Sequence, residues 1–420
     1  MSDEIRQIVA EVLKSYQQAV GEGARGQSYP EGALGKGIFA DVDSAVGAAG
    51  VAQRELVALP LETRRRLIEG MRRAVLASNE SLSAQAVAET GLGNVADKQV
   101  KNALAATKTP GVEDVESVAY TDEHGLTLVE RAPYGVIGAI TPVTNPIATI
   151  TSNSIGMIAA GNSVVFNVHP NAKGISNRLV ALLNEAIEAE GGPRNLLTAV
   201  ASPTIESAGA LMKHRGVAIL VVTGGPAVVR AAMGSGKKAI CAGPGNPPCV
   251  VDGTADLVKA GRDIVAGSSF DHNVVCICEK EVLAVAGIAD GLKDEMRKSG
   301  AFELSAAQAE AVTRLVIAEP GGPGREGAAN KSCVGKSPQV IARGAGFEVP
   351  AEAKLLLMEV GRDHPLVWIE QLMPVLPLVR MASADEAIDF ALQVERGCRH
   401  TAMMHSHDIE KLSRMAKVMN

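Results

Sequence analysis

The sequence predicts an α/β protein built on parallel sheets with helices on both faces. Over 136–226, short and almost continuously apolar runs alternate with helical periodicity and glycine-containing turns, and a second alternating section follows Asn246. Strands read this way when crossover helices cover both faces of their sheet. At 420 residues the chain has room for two such units, so the size of its core is not limiting.

Residues 1–20 stand apart, with Ile5, Ile8, Val9, Val12, Leu13 and Tyr16 at helical spacing among polar residues. This predicts a short amphipathic helix. The glycine-rich stretch 21–36 reads as a flexible linker. From 41 to 92 the pattern is helical, broken at Pro60, with Ala45, Ala48, Ala49, Ala52 and Leu56 and then Leu67, Met71, Val75 and Leu76 as buried stripes. Arg64, Arg65, Arg66, Arg72 and Arg73 are spaced to lie on solvated faces. A strand at 126–130 follows the turn at Asp122-Glu123-His124-Gly125.

Strands are then expected at 136–140, 164–167, 196–200 and 218–222. The helices between them end at Ala160, span 176–190 and end at Lys213, and another starts at Pro226. In the second section strands are expected near 249–252, 281–285 and 315–318, with helices at 288–297 and 306–312. No GxGxxG run follows any strand, so the ordinary dinucleotide fingerprint is absent. Thr223-Gly224-Gly225 lies between a buried strand and a helix.

Composition removes several function classes. A net charge of -6 with no dense basic cluster argues against nucleic acid as the main partner. Apolar runs such as 217–222 fall far short of the roughly twenty residues of a membrane span, so no membrane association is expected. Cys241, Cys249, Cys276, Cys278, Cys333 and Cys398 show neither a CxxC pair nor metal-ligand spacing. With the opening Met-Ser-Asp-Glu they read as reduced thiols, most of them buried, and no metal site is expected.

One cysteine stands in a more telling setting, the stretch from Ser268 through Phe270, Asp271, His272, Asn273, Cys276 and Cys278 to Glu281. Here, in the run Ile240 to Pro247 around Cys241, in Thr141-Pro142-Val143-Thr144-Asn145-Pro146 and in the run Pro365 to Leu376, the chain resembles the aldehyde dehydrogenase superfamily. It is most similar to the CoA-acylating branch, the propionaldehyde and acetaldehyde dehydrogenases of bacterial microcompartments, and the match runs from about residue 40 to the end.

The resemblance implies a Rossmann-like parallel-sheet cofactor domain over 37–121 and 136–243, an oligomerisation arm at 122–135 and a second α/β catalytic domain over 244–420. The chain stops short of the family's usual C-terminal strand and arm, so that end is expected to be incomplete. Cys276 would be the nucleophile and Asn145 the oxyanion donor. NAD would be held by Thr141, Pro142, Thr144, His169, Pro170, Thr223, Gly224, Gly225, Ala242, Gly243, Glu370 and Leu372. Glu370 matches the residue that hydrogen-bonds the nicotinamide ribose, and His169 stands where the family has a lysine.

Cys241 stands where hydrolytic members carry the glutamate that activates water. A thiol is a poor base for water, so the acyl-thioester on Cys276 would wait for coenzyme A. Cys278 competes as nucleophile if the chain has already entered a strand, which would put both thiols on one face. His272 either lowers the cysteine's pKa or faces solvent or CoA. The expected activity is oxidation of a short aliphatic aldehyde, propionaldehyde or acetaldehyde, with NAD and CoA. A hydrolytic dehydrogenase and a non-catalytic docking or scaffold protein are the alternatives. Residues 1–20 would dock to microcompartment shell or core proteins, the protein would be a homodimer or homotetramer, and its place would be the bacterial cytoplasm inside a microcompartment.

Overall fold

The computed structural model describes residues 35–419 as two compact units, 35–90 with 98–243 and 91–97 with 244–419. The helix expected over 1–20 and nearly all of the linker 21–36 lie outside the described residues. Both units are α/β with an all-parallel main sheet.

In the first unit the sheet runs Ile38–Phe39, Leu197–Val200, Ser163–Asn167, Val136–Ile140, Ile219–Thr223, Lys238–Ala242. Its inner strands are buried on both faces: Val164 and Phe166 enter one core with Ile150, Leu179 and Leu183, while Val165 enters the other with Ala45, Ala49 and Leu211. Glu89 accepts hydrogen bonds from the backbone N–H groups of Gly174 and Ile175 at 2.7 Å, satisfying the open end of the helix Lys173–Ala189. From Val136–Ile140 the chain works outward to Leu197–Val200, then returns to the other side with Ile219–Thr223. The carboxyl ends of Val136–Ile140 and Ile219–Thr223 therefore flank a topological switch point, the place where open α/β sheets leave a crevice.

Several expectations need correction. Lys238–Ala242, which contains Cys241, is an edge strand that was not among the expected ones. Its residues alternate between exposed and half-buried, so it lacks the apolar run that marks the inner strands. Arg64 and Arg72 are not solvated: Arg64 donates to the Ala159 carbonyl, and Arg72 to the carbonyls of Ala106 and Thr109. The hairpin of Val118–Asp122 with Gly125–Val129 begins ahead of the expected arm, and Tyr120, Leu126 and Leu128 are exposed on it. Only Cys249 and Cys333 of the six cysteines are buried.

In the second unit the sheet runs Ala301–Glu303, Leu355–Glu359, Val375–Met381, Glu281–Val285, Pro248–Val251, Met403–His405. Val282, Ala284, Leu355 and Leu376 pack on one face, and Val250, Leu283 and Val379 on the other with Trp368 and Ile388. The strand expected at 315–318 is instead the end of the helix Ala306–Val316 followed by Ile317–Glu319. β-Branched residues at the end of a helix read equally well as strand.

The least regular backbone of this unit is a run of three left-handed residues, Asp271, His272 and Asn273, with φ of 49°, 52° and 61°. Each non-glycine residue there costs about 1 kcal/mol or more, so the run needs outside support. Residues 91–97 supply it. The Asp271 carboxylate accepts from the Asn94 N–H at 2.9 Å, and the Asp271 N–H donates to Asp97 Oδ2 at 2.8 Å. Gly93 N–H donates to the Gly335 carbonyl at 2.9 Å, and that same carbonyl lies 3.1 Å from His272 Nδ1.

Gly93 is itself left-handed, and a Cβ there would stand 1.9 Å from Asp271 Oδ1. Gly93→Ala should therefore lower stability in urea unfolding by about 2 kcal/mol or more, through strained backbone and a broken carboxylate contact. An unchanged unfolding midpoint would show that this segment does not support the run.

Candidate active site

The expected nucleotide-binding residues follow the carboxyl ends of four neighbouring parallel strands of the first unit. Thr141 to Asn145 follow Val136–Ile140, His169 and Pro170 follow Ser163–Asn167, Gly224 and Gly225 follow Thr223, and Gly243 follows Ala242. Parallel strands bring these distant segments to one edge of the sheet. Gly225 caps the helix Pro226–Met233 with no side-chain hydrogen bond, which leaves the helix N–H groups to a ligand. A Cβ on Gly224 would meet Val228 Cγ1 at 2.7 Å, and the Gly224 N–H is tied to the Ala242 carbonyl at 3.1 Å. Thr141 is buried, and its hydroxyl has no partner among the described residues.

Asn145 begins the helix Pro146–Ala159, but its side chain does not cap it. Its Oδ1 accepts from Lys101 Nζ at 2.5 Å, which commits the oxygen and leaves the amide hydrogens as the exposed function. One of them is shared with Thr144 Oγ1 at 3.3 Å. His169 Nδ1 accepts from the Asn171 N–H at 3.1 Å, so the neutral ring carries its proton on Nε2.

The second unit gathers its candidate residues at the opposite, amino ends of its strands. Glu370 to Leu372 precede Val375–Met381, Cys276 to Lys280 precede Glu281–Val285, Gly245 to Pro247 precede Pro248–Val251, and His400 precedes Met403–His405. These four strands are sheet neighbours.

Buried side-chain amides stitch the segments together. Asn246 donates to the carbonyls of Val367 and Val394 at 3.0 Å, and Gln371 to those of Lys280 and Leu366 at 2.9 and 2.6 Å. Asn273 donates to the Ser268 carbonyl at 2.8 Å, and the Lys280 N–H to the Pro247 carbonyl at 3.0 Å.

Cys276 is half-buried in a turn closed by the Cys278 N–H on the Val275 carbonyl at 3.3 Å. The following strand starts only at Glu281, so the chain is not extended between the two thiols. The premise that Cys278 shares a strand face with Cys276 is thereby removed. Leu372 is left-handed at φ 51°, and its carbonyl accepts from Gly335 N–H at 2.9 Å. Glu370, set in irregular chain ahead of the strand Val375–Met381, accepts from the Gly245 N–H at 3.3 Å.

Burial pushes the Glu370 carboxyl up, and the charge of Lys280 holds it back. Burial likewise pushes the Cys241 thiol up, so it is protonated at neutral pH and has no use as a base.

Two residues with no distinguishing sequence pattern complete the cluster. A Cβ on Gly245 would lie 2.8 Å from His400 Cγ and 3.2 Å from the Cys276 carbonyl oxygen, so only glycine lets that ring sit against this segment. Burial, aided by the charge of Lys280, pushes His400 below the usual histidine value, which makes it a neutral imidazole. Lys280 is wholly buried. Its Nζ donates to the Asn273 amide oxygen, to the Asn273 carbonyl at 3.4 Å and to the Val275 carbonyl at 3.1 Å.

The neighbouring Glu279 is raised by burial to about 7. A carboxyl raised on folding contributes stability that is full below its ordinary 4.5 and is lost as pH rises through about 7. The unfolding free energy of the native sequence should thus fall over that window relative to Glu279→Gln, by about 3 kcal/mol at most. Parallel pH profiles for the two proteins would contradict this.

Residues 33–309 match the aldehyde dehydrogenase family. The chain is 45% identical over 386 residues to propanal dehydrogenase (CoA-propanoylating) of Salmonella typhimurium, covering 92% of this chain and 82% of the relative. It is 46% identical to acetaldehyde dehydrogenase (acetylating) of Escherichia coli, over 91% of this chain and 82% of that one. Among solved structures, Rhodopseudomonas palustris propionaldehyde dehydrogenase with bound CoA and an acylated cysteine superposes with a TM-score of 0.87 at 49% identity, covering 91% of this chain and 87% of that chain. With a cysteine turn at the amino ends of one parallel sheet and a glycine-lined switch point at the carboxyl ends of another, the chain belongs to the aldehyde dehydrogenase family.

Proposed function

We propose that this chain is a CoA-acylating aldehyde dehydrogenase, which converts a short aliphatic aldehyde, NAD and CoA to acyl-CoA and NADH. One observation supports the reading: Cys276 sits in a turn beside a neutral histidine, while Cys241, which by resemblance stands where hydrolytic members carry their base, is a thiol pushed further up by burial. The names of the relatives, CoA-propanoylating and acetylating, agree with it.

The Cys276 thiolate adds to the aldehyde carbon, and the carbonyl π electrons move to oxygen. Asn145, with its Oδ1 taken by Lys101, keeps amide hydrogens suited to an oxyanion donor. NAD, when bound, accepts the hydride. The residues present fit such a nucleotide: open helix N–H groups at Gly225 and the orphan hydroxyl of Thr141. His169 and Pro170, Ala242 and Gly243, Glu370 and Leu372 are proposed as further walls for it.

Loss of hydride and collapse of the oxyanion leave an acyl-thioester on Cys276. His400 takes the proton of the CoA thiol, the new thiolate attacks the acyl carbon, and the Cys276 thiolate leaves. NADH therefore forms before acyl transfer, and without CoA the enzyme stalls as thioester.

The exposed apolar hairpin Val118–Asp122 with Gly125–Val129 suits contact with a second copy of the chain. Residues 1–20 are proposed to dock the enzyme to shell or core partners of a bacterial microcompartment.

The test is NADH formation from propionaldehyde or acetaldehyde with and without CoA. Steady turnover should require CoA, disappear in Cys276→Ala and persist in Cys278→Ala. Steady turnover without CoA would identify a hydrolytic enzyme. A protein inactive under both conditions would be a scaffold, and a dead Cys278→Ala beside an active Cys276→Ala would move the nucleophile.

A further inference from the structure

Lys280 has no step in the chemistry above, yet it is among the largest wholly buried side chains of the protein. Burying an ammonium costs several kcal/mol, and each charge-assisted hydrogen bond returns about 1.5–3 kcal/mol, so the group is tolerable only where its donors are fully used. They are used on one short segment. All three acceptors of Nζ, the Asn273 carbonyl, the Asn273 amide oxygen and the Val275 carbonyl, belong to the residues just before Cys276. Three oxygens around one nitrogen call for three N–H donors. Burial pushes Lys280 below the usual lysine value, and against this the three acceptors, one more than a neutral amine can serve, favour the charged form.

Asn273 is also the last of the left-handed residues, and its amide nitrogen is bound to the Ser268 carbonyl. The ammonium thus fastens the loop from within, while residues 91–97 brace it at Asp271. The groups that face Lys280 electrostatically are Cys276, Cys278, Glu281 and Glu370, with Glu279 and His400 also feeling its charge. Glu281 is itself pushed well up by burial, which favours its neutral form and leaves the positive charge to the thiols and Glu370.

We propose that Lys280 is the positioning residue of the cysteine loop: its ammonium gathers the Asn273 and Val275 oxygens to fix the approach to Cys276 and supplies the positive charge against which the Cys276 thiolate forms. This rests on Cys276 being the nucleophile.

The experiment is the pH dependence of alkylation of Cys276 by iodoacetamide, read by mass spectrometry of its peptide in a Cys278→Ala background, with thermal unfolding as the control. With Lys280 intact the midpoint should fall below the free-cysteine value of about 8.5. In Lys280→Met it should rise by about one pH unit or more, slowing alkylation at neutral pH about tenfold. Lys280→Gln, which keeps N–H donors without charge, should recover thermal stability relative to Lys280→Met but not the low midpoint. An unchanged profile in either folded variant overturns the proposal. If neither variant folds, a midpoint at or above about 8.5 in the Lys280 protein overturns it and a lower one upholds it. Failure of the underlying reading looks different: Cys276→Ala would go on making NADH whatever the alkylation profile showed.

Discussion

Three successive residues in left-handed backbone, Asp271 to Asn273, are held by a carboxylate exchange with residues 91–97 on one side and by the Lys280 ammonium on the other. Without those contacts the run is strained by several kcal/mol and the chain would relax. The position of the Cys276 turn, of the Glu281–Val285 strand that follows and of the carbonyls around them depends on this loop. Its supports come from far away in sequence: Gly335 links His272, Gly93 and Leu372 through its carbonyl and its N–H. A thiol held in this way would lose little conformational freedom if it is the attacking group.

Each unit uses one edge of one parallel sheet, and the choice of edge follows from topology. In the first unit the carboxyl ends around the switch point carry the glycines, Asn145 and His169, because that is where the strand order reverses and the backbone opens. In the second unit the amino ends of four neighbouring strands carry Glu370, Cys276, Gly245 and His400. Buried amides from Asn246, Asn273 and Gln371 hold these loops to one another. Backbone carbonyls that would otherwise be orphaned become the stitching.

Much of this was legible in the sequence. Strands 136–140 and 281–285 fall where the apolar runs put them, because inner strands of a parallel sheet show uninterrupted hydrophobicity. The half-exposed edge strand Lys238–Ala242 has no such run and goes unmarked in the sequence. Cys276 was visible through its neighbours. Lys280 and His400 were not, since a lysine between two glutamates looks like a solvated face, and only the fold reveals that its partners are the carbonyls of a left-handed loop. For Cys278 one fact of local geometry matters: the strand starts after it rather than before, so the two thiols do not share a strand face.

The account turns on an acyl-thioester that forms on Cys276 and waits there for a thiol. The direct measurement is to mix the enzyme with propionaldehyde and NAD in the absence of CoA and read the adduct by mass spectrometry. A propionyl group on Cys276 that disappears when CoA is added, with acyl-CoA appearing in its place, is the predicted result. A propionyl group on Cys278, or rapid release of propionate with no trapped adduct, would contradict it.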